Sequence, residues 1–74
     1  MNHQRSFYQW LMTQRNVVSA NEIQEFANHA FLDSDFPKQS TDFDELSKYL
    51  EETATYLVSM TIFDEAWQEF QANR

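Results

Sequence analysis

Apolar residues recur along this chain at steps of three and four, which places them on single faces of helices. Ser6-Phe7-Tyr8-Gln9 has the S-x-x-Q form of a capping box, and Phe7, Trp10 and Leu11 follow at helical spacing, predicting a first helix from residue 6 to about 15. Asn16 is expected to close it in a left-handed conformation, and the β-branched pair Val17-Val18 to run extended after it. Ser19-Ala20-Asn21-Glu22 repeats the box as S-x-x-E. Ile23, Phe26, Ala27, Ala30 and Phe31 then form the clearest amphipathic pattern of the chain, predicting a helix over about 20 to 33. The polar run from Asp33 to Thr41 carries the only proline, Pro37, and reads as the one substantial loop. Ser40 or Thr41 can cap a third helix with the stripe Phe43, Leu46, Leu50. Thr53 can cap a fourth and longest helix, about 54 to 71, with the stripe Tyr56, Met60, Phe63, Trp67, Phe70. The expected core is Phe7, Trp10, Leu11, Ile23, Phe26, Ala27, Ala30, Phe31, Phe43, Leu46, Leu50, Met60, Phe63 and Trp67.

The fold class expected is therefore all-α, a compact four-helix bundle with room for a short fifth turn. Glycine is absent, which disfavours the tight hairpins that join strands. With 74 residues the chain suits one domain, with residues 1–5 and 72–74 expected to fray. A chain this short buries only about 60% of its unfolded surface, so dense packing has to supply the margin. Its twelve aromatic residues are the means available. Cysteine is also absent, excluding disulfides and thiolate-ligated metals and suiting a reducing cytoplasm. No apolar run approaches a membrane span.

Charge narrows the choice of partner. The formal net charge is −7 with only five Lys and Arg, which disfavours a general polyanion binder. The charge is uneven, however: residues 1–21 hold Arg5 and Arg15 and no acid, while residues 22–74 hold all twelve acids against three bases. The first helix and its connector, with Arg5, Arg15 and Lys38, are the candidate contact with nucleic acid.

Glu25, His29 and Asp33 fall at i, i+4 and i+8 and could line one helix face as metal ligands. A solvated face opposite the Ile23/Phe26 stripe has the same pattern, and that reading is preferred. Asp33-Ser34-Asp35 opens like a calcium loop, but Pro37 and Lys38 stand where a ligand and an obligatory glycine belong, so calcium is rejected. The two histidines, His3 in a terminal tail and His29 on a helix surface, suggest no catalytic triad. The acidic pairs Asp42/Asp44 and Glu51/Glu52 read as helix-end partners rather than an acid and a base. No cofactor is expected, nor an enzyme: a chain this small hardly encloses a ligand site of about 300 Å³ while filling its core.

The strings Ser6-Phe7-Tyr8, Trp10-Leu11-Met12, Glu25-Phe26-Ala27-Asn28, Phe36-Pro37-Lys38, Ser40-Thr41-Asp42, Tyr49-Leu50-Glu51 and Phe63-Asp64-Glu65-Ala66-Trp67 together resemble the YozE family of small bacterial proteins. The likeness covers nearly the whole chain without a gap. It implies a SAM-like helical fold, a cytoplasmic setting and a source among low-GC Gram-positive bacteria, and it brings no activity or site residues. The connector Asn16-Val17-Val18-Ser19-Ala20 departs from a family pattern expected to be richer in proline and basic residues, which weakens a basic-surface role. SAM-like folds serve as protein-interaction modules and sometimes bind nucleic acid. The leading expectation is a monomeric, non-enzymatic module that docks a protein partner; the alternative is weak nucleic-acid binding through the first helix and its connector.

Overall fold

The computed structural model describes residues 5–16, 18 and 21–73. They form four helices: α1 (Phe7–Met12), α2 (Glu22–Phe31), α3 (Phe43–Thr53) and α4 (Met60–Ala72), with no strand among the described residues. Helix α4 packs against each of the other three, α1 also packs on α2, and α3 reaches the bundle through α4.

Six residues make α1 too short to persist alone, because nucleation costs more than one turn of hydrogen bonds returns. Its ends and one face are held instead. The expected capping box forms: the Gln9 N–H donates to Ser6 Oγ at 3.2 Å, and the Ser6 N–H donates to Gln9 Oε1 at 3.1 Å. The buried Ser6 hydroxyl also donates to the Lys38 carbonyl at 2.6 Å, and the Phe7 N–H donates to the Ser40 carbonyl at 3.2 Å. The start of α1 is thereby stitched to the proline loop.

Phe7 is fully buried among rings from three helices. Its centroid lies 5.4 Å from Phe63 and 5.6 Å from Phe70, both edge-on, 5.7 Å from Trp67, 5.8 Å from Trp10 and 6.2 Å from Phe26. Edge-to-face and tilted pairs at such separations are the favourable arrangements of aromatic quadrupoles. Leu11, Ala27, Ala30, Leu46 and Ala66 fill the spaces around them with no exposed surface.

Several boundaries differ from the sequence expectation. Helix α1 stops at Met12 with Thr13 as a right-handed cap whose hydroxyl donates to the Trp10 carbonyl; Asn16 is not the cap. No described residue has positive φ. The cap of α2 is Asn21, which accepts from the Gln24 N–H at 2.8 Å, so the helix starts at Glu22; the expected box residues Ser19 and Ala20, like Val17 and His3, lie outside the described residues. Asp42 rather than Ser40 or Thr41 caps α3, while Ser40 Oγ supports the approach by accepting from the Asp42 N–H and donating to Glu45. Thr53 ends α3, its hydroxyl donating to the Tyr49 carbonyl, and Ser59 caps α4. The expected start at 54 fails because Ala54, the cap of α3, leaves helical geometry at φ −90°, ψ 81°, and the connector that follows brings Tyr56 to Asp33. Helix α4 is nonetheless the longest, with 13 residues.

The core differs at its margins. Phe31, expected inside, is 48% exposed, and Phe43 is 38% exposed although one face stacks on Phe63 at 5.3 Å. Ile23, Met60 and Trp67 are only partly buried. Phe36, Ala54, Ile62, Ala66 and Phe70 complete the core. Ile62 and Ala66 are buried because α4, touching three helices, needs a wider apolar arc than one stripe provides.

Three stability outcomes follow from this packing. Phe7→Ala should cost about 3–5 kcal/mol, a large part of the stability of a small domain, and abolish or strongly lower the thermal transition seen by circular dichroism. Val58→Ala, at a site 85% exposed, should stay within about 0.5 kcal/mol; equal effects would refute the aromatic hub. Ser6→Ala should cost about 1–2 kcal/mol, read as a lower urea midpoint with unchanged m-value.

Candidate functional site

The end of α2 carries the most exposed apolar pair on any helix end. Phe26, Ala27 and Ala30 face the core, and at about 100° per residue Phe31 is rotated roughly 90° from the centre of that stripe, with Leu32 turned further still. Leu32 is accordingly 76% exposed. Together with Arg15, Asn16 and Asn28 the two line an open groove of about 570 Å³. The Asn28 Nδ2 donates to the Asn16 carbonyl at 2.7 Å, joining the α2 wall to the connector wall. Arg15 lays its guanidinium over the Phe31 ring, 3.6 Å from the centroid, a cation–π arrangement that fixes the charge at the rim. The groove is a surface feature, so its size does not conflict with the filled core beneath.

The three cations considered for nucleic acid are divided between the two ends of α1. Arg5 is exposed just before Ser6, and Lys38 is tied to the same end of α1 through Ser6. Lys38 Nζ donates to the Ser34 carbonyl at 3.0 Å and stands 5.4 Å over the Tyr8 ring. Arg15 lies beyond the opposite end of α1.

Glu25, His29 and Asp33 do not converge either, and no group of three potential metal ligands occurs among the described residues. Glu25 is exposed; His29 packs its ring 5.6 Å from Tyr56, with Nδ1 buried and unpaired. Asp33 has been given other work. Its Oδ2 accepts from the Tyr49 hydroxyl at 2.5 Å and the Tyr56 hydroxyl at 2.8 Å, and its Oδ1 from the Asp35 N–H at 3.1 Å. Burial pushes the Asp33 carboxyl up, but the two tyrosines, the Asp35 N–H and Lys38 outweigh it and hold the group below its ordinary value. Burial, then the bond to the Asp33 carboxylate, pushes both Tyr49 and Tyr56 up. One carboxylate thus clamps the loop to α3 and to the α3–α4 connector. Phe36 is folded back, 3% exposed, against Tyr8 at 5.3 Å and Tyr49 at 5.8 Å, and so offers no docking ring.

The family described as YozE SAM-like fold matches residues 6–72. This chain belongs to the YozE family. A UPF0346 protein of Leuconostoc mesenteroides is 71% identical over 95% of this chain and 93% of its own length. Those of Oenococcus oeni and Limosilactobacillus reuteri are 67% and 71% identical over 93% and 88% of this chain, and over 91% and 89% of theirs. The YozE-like strings turn out to be largely architectural: Ser6 meets Lys38, Tyr8 meets Phe36, Phe36 meets Tyr49, and Phe63 and Trp67 meet Phe7. Among the described residues of this YozE-family chain no helix is long and apolar enough to cross a membrane.

Of the groove residues, the sequence singles out Arg15 as a candidate contact, with nucleic acid, but not the apolar pair beside it. Phe31 had been assigned to the core and Leu32 to nothing, although two adjacent large apolar residues at a helix end cannot share one face, and that was the available signal.

The clamp has a pH signature of definite sign. The folded Asp33 carboxyl lies below its ordinary 3.8, so its contribution is present above that pH and is lost as pH falls through the lower folded value. The two phenols lie above their ordinary 10.0; their contribution is intact below pH 10 and is lost as pH rises further. Absorbance titration at alkaline pH should show both phenolates forming late, and Asp33→Asn should bring them earlier while flattening the acid limb of stability. Unchanged titration in Asp33→Asn would refute the clamp.

Proposed function

We propose that this YozE-family protein is a non-enzymatic cytoplasmic interaction module that docks a protein partner on the groove that Arg15 and Asn16 form with the end of α2. The observation that carries this reading is the exposure of Phe31 and Leu32 side by side beneath a fixed arginine. Leaving Leu32 in water forgoes about 1.5–3 kcal/mol that full burial would return, and half-exposed Phe31 forgoes about half as much. In a domain this small that is a sizeable share of total stability, and a partner that covers the pair recovers it. The aromatic stripe of α4, the other apolar surface of note, is spent on Phe7 and α3. The polar side chains that could have made an active site are spent on architecture: Ser6 on a cap, Asp33 on two tyrosines.

A photo-crosslinking amino acid placed at Leu32, and at the equally exposed Val58 as control, distinguishes the classes of partner. Expressed in Leuconostoc mesenteroides, whose own UPF0346 protein is 71% identical, the Leu32 position should yield a discrete protease-sensitive adduct on irradiation that Val58 does not. Nuclease-sensitive adducts would replace the protein partner with nucleic acid, and equal or absent labelling from both positions would refute the groove as a docking surface.

A further inference from the structure

Resting on the groove as a protein-docking site, we infer that its occupant is a short linear peptide segment bearing one large apolar side chain next to a carboxylate. Three features of the groove lead there. The first is size. Five of the described residues line it, whereas a folded partner of ordinary affinity needs about 800 Å² and some 20–30 residues from each side. About 570 Å³ falls in the ~300–1,000 Å³ range that suits a few side chains. A linear segment fits that footprint and a domain face does not.

The second feature is charge. The whole chain carries −7, yet among the described residues no acid lines the groove and the one charged side chain there is Arg15. Among the described residues no carboxylate pairs with Arg15, whose guanidinium rests on Phe31. The C-terminus of α2 opposes an anion here with roughly half a charge. Part of that is already neutralised, since the His29 and Ala30 carbonyls accept from the Leu32 and Asp33 N–H groups. A full guanidinium charge outweighs the remainder. Elsewhere the acidic surface repels an acidic segment, so attraction at this rim also sets where the segment lands.

The third feature is order. Arg15 is held over Phe31 and the Asn16 carbonyl is held by Asn28, so less side-chain freedom is lost when a ligand arrives. The apolar side chain of the segment lies against Phe31 and Leu32, and its carboxylate meets the outer edge of the Arg15 guanidinium.

Random twelve-residue peptides displayed on phage and selected against the folded full chain test this directly. Enriched sequences should pair Leu, Phe or Met with Asp or Glu within two or three positions. A synthetic peptide from that set should bind at least tenfold more weakly to Leu32→Asp, and about two- to fivefold more weakly to Arg15→Gln, the range of an exposed ion pair. Circular dichroism of both variants should match the parent, since both sites are exposed. Enrichment without acids, affinity indifferent to Arg15→Gln or Leu32→Asp, or no enrichment overturns the inference. So does concentration-dependent dimerisation in sedimentation that Leu32→Asp abolishes, which assigns the groove to a second copy. A protease-sensitive crosslink from Leu32 alongside any of these results preserves the docking surface and discards only the peptide; loss of that crosslink discards both.

Discussion

Everything in this protein is arranged around the ring of Phe7. It sits one residue inside a helix of two turns at most, and it touches aromatic rings from α1, α2 and α4. A 74-residue chain without disulfides has few other ways to accumulate buried area, and each ring adds about 150–250 Å². Because α1 has no stability of its own, its position is set by where Phe7 is accepted. The capping box, the stitch to the loop and the packing of α4 are all conditions on that placement.

Loops are held by a second device, imposed by the absence of glycine. With no residue that takes positive φ cheaply, the described chain turns through side-chain hydrogen bonds instead. Ser6, Asn21, Asp42 and Ser59 each accept a backbone N–H at a helix start, and Thr13 and Leu32 end their helices in right-handed geometry. Asp33 does more than a cap, joining the proline loop, α3 and the following connector through two phenols. Asp33, which resembles a ligand in sequence, thereby serves as a structural joint.

The proposed docking groove is a by-product of the same geometry. Helix α2 delivers Phe26, Ala27 and Ala30 to the core, and the helical period then carries Phe31 and Leu32 away from it. Arg15, beyond the end of a short α1, lies over the half-exposed Phe31 ring. An acidic protein thus places exposed Phe31 and Leu32 beside the positive charge of Arg15.

Helix count, helix type and most of the core were legible from the periodicity of apolar residues, because that period is a property of local backbone geometry and survives any tertiary arrangement. The Ser6–Gln9 box was legible for the same reason, since all its partners lie within one turn. The phase of each stripe was not. Phe31 was misassigned because its face depends on which side of α2 meets α1 and α4, and Ile62 and Ala66 were missed because α4 has three neighbours rather than one. The break at residues 54–59 could not be read locally either, as it depends on Tyr56 meeting Asp33 across 23 residues. Glu25, His29 and Asp33 shared a helical spacing, but α2 ends before Asp33 and a distant pair of tyrosines claims it. Local pattern determined the elements; long-range partners decided their ends, the direction of their faces and therefore which apolar residues were left exposed.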